Sequence, residues 1–211
     1  MSQSSEPGAV APVAWREYDA PALPRVLQAA LAAFVEHGYH GTSVRDLARA
    51  SGLSVPGLYH HHPSKQAILV ELMEATMAEL LARSRAALAE AGDDPEARFD
   101  LVVESLLRFH MARRAQAFVG SSELRSLEPD ARARIVALRD EQQAMVREAI
   151  ETCVAAGRFA TPHAGDVARA ISTLAIGVAG WYREDGPQAA DEVVRRQLGL
   201  ARAMVLPASD R

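Results

Sequence analysis

Side chains that can bind an anion are concentrated in GTSVRDLARASGLSVPGLYHHHPSKQAI, residues 41–68. Between residues 41 and 65 there are three Lys or Arg and one acid, a local charge of +2 in a chain whose net charge is −4. Hydroxyl and imidazole groups donate hydrogen bonds to phosphate oxygens, and Lys and Arg add charge. The residues that would bind a phosphate backbone in this way are Thr42, Arg45, Ser54, Tyr59, His60 and Lys65.

The elements that would position these side chains are two short helices joined by a turn. Ser43 and Asp46 have the spacing of a capping box at the start of the first helix. Gly52 ends this helix and can adopt the positive φ that a tight turn requires. Ser54 caps the second helix, with Pro56 in its first turn. The apolar residues that would pack across the turn are Val44, Leu47, Ala48 and Leu58.

This arrangement predicts a helix-turn-helix whose second helix has a free outer face. Val55, Pro56 and Gly57 lie on that face and offer apolar or close backbone contacts, for example to a thymine methyl group in a major groove. Spacing alone is also compatible with an ordinary helical hairpin, because short motifs of this kind have frequent false matches.

The triple histidine, residues 60–62, invites a metal-binding interpretation. Successive side chains on an α-helix point about 100° apart, so three adjacent histidines cannot converge on one ion. We therefore predict no metal site. Instead, we expect His60 to face a phosphate, His61 to be buried and His62 to pack the end of the helix.

The segment HGYHGTSVRDLARASGLSVPGLYHHHPSKQAIL resembles the N-terminal DNA-binding segment of TetR-family transcriptional regulators. The positions that carry the resemblance are Gly38, Gly41, Thr42, Leu47, Ala48, Ala50, Gly52, Ser54, Leu58, Tyr59, His61, Pro63, Ser64 and Lys65. His62 departs from the pattern, since an aromatic residue is usual there, and this departure predicts looser packing or partial exposure of His62.

The resemblance implies a homodimer that places one recognition helix per subunit in the major groove of a palindromic operator, about 34 Å apart. It implies that the residues facing phosphates are Thr42, Ser54, Tyr59, His60 and Lys65. The residues approaching bases would be Val55, Pro56 and Gly57. Repression of transcription is the usual outcome in this family.

The rest of the chain is rich in Ala, Leu, Arg and Glu, which favour helix, and few patterns typical of strands occur. We predict an all-α, nine-helix TetR-like fold. Its three parts would be a flexible arm (1–20), a helix-turn-helix DNA-binding domain (21–66) and a ligand-binding and dimerisation domain (67–211). Apart from the two short helices, helices are expected at about 24–37, 64–91, 95–113, 115–125, 129–156, 163–184 and 188–205.

Composition argues against several other classes of protein. Cys153 is the only cysteine, which excludes an intramolecular disulfide and is typical of a reducing cytoplasm, where we expect the protein. The sequence shows neither a secretory signal nor an apolar run long enough to span a membrane. It also has no GxSxG or HExxH motif, and no cofactor is predicted.

The last two helices predict a symmetric partner. Residues 170–182, AISTLAIGVAGWY, are apolar on nearly every side, and Gly177 and Gly180 permit another helix to approach closely. Val194, Leu198, Ala201 and Val205 add an apolar stripe. These helices would form a four-helix bundle with a second copy. The alternative is a monomer that buries the same surfaces internally.

A small-molecule site requires apolar walls with a few polar groups. The residues predicted to form it are Phe109, His110, Arg113, Phe118, Leu138, Gln142, Met145, Trp181 and Arg183. The stretches AFVGSSELRSLEPDARARIVALRDE and GWYRE resemble TetR regulators of fatty-acid, branched-chain or steroid degradation. That resemblance implies an acyl-CoA thioester as effector, with its phosphates near Arg113, Arg125, Arg139 or Arg183.

Two other functions compete with a ligand-controlled regulator. One is an all-helical enzyme and the other is a helical scaffold without DNA binding. A scaffold would not need the phosphate-binding set, and Cys153 lacks the basic neighbour that would activate a thiol nucleophile. If the chain is a regulator, the long fourth helix must carry the signal, because it joins the head to the body.

Overall fold

The computed structural model describes residues 14–19 and 23–205, and within these ranges it contains nine α-helices and no β-strand. The predicted all-α fold with nine helices is therefore confirmed. The helices are α1 (Arg25–Gly41), α2 (Val44–Ser51), α3 (Val55–His61), α4 (Lys65–Ala91), α5 (Pro95–Ala112), α6 (Arg114–Ser122), α7 (Pro129–Ala155), α8 (Ala164–Trp181) and α9 (Ala190–Ala203). A single 3₁₀ turn, Leu124–Ser126, follows α6. Most of the predicted flexible arm (1–13 and 20) and the last residues of the predicted body (206–211) lie outside the described residues.

Local capping sets the ends of the short helices. The Ser43 hydroxyl accepts from the Asp46 N–H at 3.2 Å, and the Asp46 carboxylate accepts from the Ser43 N–H, which completes the predicted capping box. Gly52 ends α2 in the left-handed conformation at φ 74°. Gly38, at φ 70°, kinks α1 as the predicted stop would, but one further helical turn continues to Gly41.

The body is built around α5, which packs against α4, α7, α8 and α9. Phe99, Val103, Leu106 and Leu107 on α5 are almost completely buried. Their large apolar area supplies the hydrophobic stabilisation that fixes these helices around α5.

The head, formed by α1–α3, shares its hydrophobic core with the body. Phe34 and Leu58 belong to the same buried cluster as Val119 of α6 and Ile135 of α7. The packing therefore continues across the predicted domain boundary at residue 66. The head is attached to the body by side-chain contacts as well as by the chain itself.

Residues 14–19 form an N-terminal strap that lies on α4 and α5. Trp15 is buried, and its indole N–H donates to Glu90 at 2.7 Å. Arg83 donates to the backbone carbonyls of Ala14, Trp15 and Glu17 at 2.8–3.3 Å. The prediction of a flexible arm is wrong for these six residues, because buried partners far along the chain hold them.

Glu79 joins the strap to the helices behind it. Its carboxylate pairs with Arg83 and Arg113, each at 2.9 Å, and Arg113 also donates to the carbonyl of Asp19. Both guanidinium groups pack against the ring of Tyr18. Since both arginine side chains are almost fully buried, the carboxylate of Glu79 offsets one of two positive charges that are largely shielded from water.

Replacing Glu79 should reveal the importance of this cluster. We expect Glu79→Gln to lower the free energy of unfolding by about 2–3 kcal/mol, because Arg83 and Arg113 would remain as buried cations without a carboxylate. Urea denaturation followed by circular dichroism measures the change. The control is Glu74→Gln, whose partner Arg134 is exposed and which should cost less than about 0.5 kcal/mol. Equal losses for both variants would contradict the assignment.

Candidate nucleic-acid interface and ligand cavity

The helix-turn-helix forms as the sequence predicts. Leu47 and Ala48 of α2 pack with Leu58 of α3, which is only 1 % exposed. This packing leaves the other side of α3 in solvent. The residues of α3 that are exposed there are Pro56, Tyr59, His60 and His61, with Tyr59 48 % exposed.

The N-terminal turn of α3 is capped tightly. The Ser54 hydroxyl accepts from the Gly57 N–H at 3.1 Å. A Cβ added at Gly57 would lie 3.2 Å from the same hydroxyl, closer than side chains normally approach. Glycine therefore preserves the cap and leaves the backbone bare beside Val55 and Pro56. The cap uses an oxygen lone pair of Ser54, so its O–H can still donate to a ligand.

Thr42 is not available to bind a phosphate, in contrast to the prediction. The residue is 2 % exposed, and its hydroxyl donates to the carbonyls of Gly38 at 2.8 Å and Ala33 at 3.2 Å. Its N–H donates to the Tyr39 carbonyl. Thr42 instead closes the end of α1, and Ser43 is the residue that caps α2.

Lys65 also has an internal role that the sequence did not reveal. Its ammonium donates to the carbonyls of Tyr39 at 2.6 Å and Thr42 at 2.7 Å, and lies 4.2 Å above the Tyr39 ring. Burial lowers the pKa of this ammonium group. Two of its three N–H donors therefore hold the end of α1, which corrects the prediction of a lysine directed mainly toward phosphate.

The three histidines differ from one another in exposure. His60 is exposed as expected, but His61 is exposed as well, which corrects its predicted burial. His62 is buried with its Nδ1 3.0 Å from a carboxylate oxygen of Glu71. It therefore packs the end of α3, as predicted, and the alternative of partial exposure is wrong. In the ranges 14–19 and 23–205, no cluster of His, Cys, Asp or Glu is suited to hold a metal ion.

The exposed arginines of the head include one that sequence reasoning missed. Arg45 is exposed and forms no ion pair within the described part of the chain, whereas Arg49 pairs with Asp46 at 2.6 Å. Arg25, the first residue of α1, is exposed and lies 3.6 Å from the position that a Cβ would take at Gly52. Arg25 comes close to Gly52, 27 residues further along the chain, only through the packing of α1 against α2, which no local sequence signal reveals.

A cavity of about 210 Å³ lies between α4, α5, α6, α7 and α8. Three of the predicted ligand residues, Phe109, His110 and Gln142, line it. The remaining lining residues are Thr76, Met77, Leu80, Leu106, Gln116, Ala117, Gly120, Ser121, Arg139, Gln143, Arg169, Ser172, Thr173 and Ile176. Arg139 is among them and was expected only as a possible partner of coenzyme A phosphates. Sequence reasoning missed most of the others, although Gln143 is the neighbour of Gln142 and lies four residues after Arg139, on the same face of α7.

Six predicted ligand residues do not line this cavity. Arg113 is occupied by Glu79 and the strap. Phe118 and Trp181, 53 % and 48 % exposed, point into solvent, and Arg183 is also exposed. Leu138 and Met145 pack into the hydrophobic core. Helical periodicity indicated an inner face for α7 but could not distinguish core positions from cavity positions.

The polar groups of the cavity are incompletely satisfied. His110 is buried, and its Nδ1 lies 2.8 Å from the Leu106 carbonyl, which indicates a neutral ring with the proton on Nδ1. Gln142 is 4 % exposed, and its amide nitrogen has no hydrogen-bond partner among the described residues. Arg139 donates to the Gly120 carbonyl at 2.6 Å. Burial lowers the pKa of Arg139.

His110 should make the stability of the protein depend on pH. Burial lowers its pKa to about 4, against an ordinary value of 6.5. The unfolded chain therefore binds a proton between about pH 6.5 and 4 that the folded chain excludes, so stability falls as pH falls through this window. We expect the wild type to lose about 3 kcal/mol more than His110→Gln between pH 7 and 4. Parallel urea titrations at each pH would measure the difference, and identical pH profiles would contradict it.

Cys153, the only cysteine of the sequence, is buried in an environment that makes its thiol a poor nucleophile. Its thiol lies 3.0 Å from the Pro95 carbonyl, and burial raises its pKa to about 11. Reactive cysteines have depressed pKa values and accessible sulfurs.

None of the helices in residues 14–19 and 23–205 has both the length and the apolar character needed to cross a membrane.

Comparison with known proteins agrees with this architecture. Residues 26–72 match the family model for bacterial regulatory proteins of the TetR family, and residues 92–205 match the tetracyclin repressor-like C-terminal domain. A DNA-binding helix-turn-helix followed by a helical regulatory domain defines a transcriptional regulator. The chain belongs to the TetR family.

Similar individual proteins include regulators from several bacteria. The transcriptional repressor KstR2 of Mycobacterium tuberculosis is 28 % identical over 177 residues, covering 83 % of this chain and 88 % of the repressor. The structure of PfmR, a TetR-family regulator from Thermus thermophilus, is 34 % identical with a TM-score of 0.77, covering 85 % and 97 % of the two chains. AibR, solved with isovaleryl coenzyme A and operator DNA, shares the fold at 20 % identity with a TM-score of 0.72, covering 83 % and 95 %.

Proposed function

We propose that this TetR-family protein is a repressor that binds a palindromic operator as a homodimer and releases it when an effector enters the body cavity. The outer face of α3 is the observation that carries the proposal. Pro56, Tyr59 and His60 are exposed there and have no role in packing the head.

The contacts to DNA would divide into two sets. Pro56 and the backbone of Gly57, at the N-terminal turn of α3, would approach base edges in the major groove. Val55 packs partly against the core of the head, so only its exposed part would join them. The residues that would bind phosphates on either side are Arg25, Arg45, Ser54, Tyr59 and His60. Two of these are arginines, which supply most of the electrostatic attraction to the DNA backbone.

The homodimer would form through α8 and α9. Ile176 and Trp181 on α8 and Leu200 on α9 are large apolar side chains left about half exposed. A Cβ built at Gly177 or Gly180 would meet no atom within 4 Å, so both glycines lie on an open surface. Apolar residues beside glycines permit close helix packing across a two-fold axis, and the resulting bundle would fix the distance between the two α3 helices.

The effector would act on the head through α6 as well as through α4. Gly120 of α6 lines the cavity, and Val119 beside it packs in the core of the head. Glu123 lies 3.5 Å from the position that a Cβ would take at the kink residue Gly38. A ligand that favours a different position of α6 would therefore alter the orientation of α1. It can shift the equilibrium only by its difference in affinity for the two states.

The class of effector is a small apolar molecule or an acyl-CoA thioester. A related structure is that of the ketosteroid regulator KstR2, and the AibR structure holds isovaleryl coenzyme A. Both point to products of lipid or branched-chain degradation. Because operator DNA and such metabolites meet in the bacterial cytoplasm, we place the protein there.

Operator binding can be tested without knowing the operator in advance. Selection from random duplexes at low ionic strength should enrich a palindrome whose half-sites are one DNA turn apart, and failure to enrich any sequence would overturn the proposal. On the selected duplex, Arg45→Ala should reduce the slope of log affinity against log salt by about 2, one phosphate contact for each subunit. The control is Arg134→Ala on α7, which should leave the slope unchanged.

Dimer formation has its own test. Leu200→Glu introduces a charge into the proposed interface, so we expect sedimentation to show a shift from dimer to monomer at micromolar concentration. The matched control is Val136→Glu, because Val136 is a partly exposed apolar residue on α7, outside the proposed interface. This variant should remain dimeric. A wild-type protein that sediments as a monomer would exclude this interface.

A further inference from the structure

The cavity in the body is positively charged although the chain as a whole is acidic. Its 17 lining residues include two arginines, Arg139 and Arg169, and neither Asp nor Glu. Neither arginine forms an ion pair within residues 14–19 and 23–205. Arg169 is exposed, whereas Arg139 is partly buried. A cation that is partly removed from water without a carboxylate partner is unfavourable, so a ligand that supplies an anion to Arg139 gains in affinity.

The other arginine-lined cleft of the body has a different electrostatic character. It contains Glu184 and also Arg114, which donates to the Ala179 carbonyl and forms no ion pair among the described residues. Its other arginines, Arg16, Arg108 and Arg113, each pair with at least one carboxylate of the chain itself. Those guanidinium groups are already neutralised and serve the fold. The cavity between α4 and α8 differs from this cleft in having no carboxylate among its lining residues.

The hydrogen-bond donors of the cavity indicate which kind of anion would fit beside Arg139. Within the described part of the chain, the only hydrogen bond of the Arg139 guanidinium is the one to Gly120, which leaves most of its five N–H donors free. The Gln142 amide nitrogen, one helical turn further along α7, is a buried donor without a partner. Two donors side by side, one of them cationic, match the two oxygens of a carboxylate.

The size of the cavity limits the rest of the ligand. A protein cavity of roughly 150 Å³ holds one benzene molecule. A volume of about 210 Å³ therefore accommodates one ring or a short branched chain together with a carboxylate. The apolar wall for that group comes from Met77, Leu80, Leu106 and Phe109.

We propose that the effector is a compact organic acid, whose carboxylate binds Arg139 and Gln142 and whose single ring or short chain fills the apolar part of the cavity. This inference rests on the proposed regulator and replaces the acyl-CoA thioester of its effector class with a free acid. The acid could enter the site free, or its acyl group could enter as a coenzyme A thioester. A thioester carbonyl brings no charge to Arg139, and a cavity of about 210 Å³ is too small to enclose the phosphates of coenzyme A together with an acyl group. The structure therefore assigns the free carboxylate to this site.

The test is calorimetric titration of the full-length protein with matched probes. Cyclohexanecarboxylate, phenylacetate and hexanoate would be compared with their uncharged amides, with their coenzyme A thioesters and with the four-ring acid cholate. We expect at least one small carboxylate to bind at least tenfold more tightly than its amide and its thioester, and more tightly than cholate. Equal or tighter binding of the amide, the thioester or cholate would overturn the proposal, as would the failure of all three carboxylates to bind.

Variants of α7 connect this binding to the named residues. Arg139→Gln should abolish the preference for carboxylate over amide, and Gln142→Leu should weaken carboxylate binding at least fivefold. Arg134→Gln, an exposed arginine on the same helix, is the matched control and should bind as the wild type does. If Arg139→Gln does not fold, Gln142→Leu and the carboxylate–amide comparison on the wild type still decide the question. A preference for carboxylate that persists in a folded Arg139→Gln would contradict the assignment.

Binding of the selected duplex by the ligand-free wild type is measured separately. Failure to bind DNA would count against the proposed regulator and leave the calorimetric result on carboxylates standing. Conversely, a protein that binds its operator but none of the small carboxylates would retain the proposed function and lose the inference about its effector.

Discussion

The surface that would meet DNA depends on a single buried side chain. α3 has seven residues, too few to form a stable helix alone in water, and only Leu58 among them is buried. The Ser54 cap at one end and the contact between His62 and Glu71 at the other hold it in place. These three contacts fix the position of α3 and therefore of its exposed side chains. The geometry of the surface that would meet DNA depends on the packing behind it.

That packing has no boundary between head and body. Leu58 lies in the same cluster as Val119 and Ile135, and the strap ties the segment preceding α1 to α4 and α5. The head is consequently held at its N-terminal side by the strap, at its C-terminal side by α4, and through side-chain packing by α6. A small displacement near Gly120 would be transmitted because close-packed interiors are stiff and change between discrete arrangements.

Sequence reasoning succeeded where the controlling interactions are local. The capping box at Ser43, the turn at Gly52 and the break at Gly92 each depend on residues a few positions apart, and most helix limits followed from them. It was less successful for polar side chains with distant partners. Lys65 binds carbonyls 23 and 26 residues away, and Arg113 pairs with Glu79, 34 residues away. Only three of nine expected ligand residues line the cavity, since periodicity shows which face is inward but not where the packing leaves a space.

The open glycines of α8 have a consequence for how the chain could change. Glycine inside a helix costs about 0.8–1 kcal/mol relative to alanine, and the space around Gly177 and Gly180 would admit a methyl group without any clash inside one subunit. Alanine at these positions would therefore make a solitary subunit more robust to heat. The same methyl groups would hold a second copy further away. In the proposed dimer, substitutions that favour the heat stability of a single subunit would therefore weaken pairing.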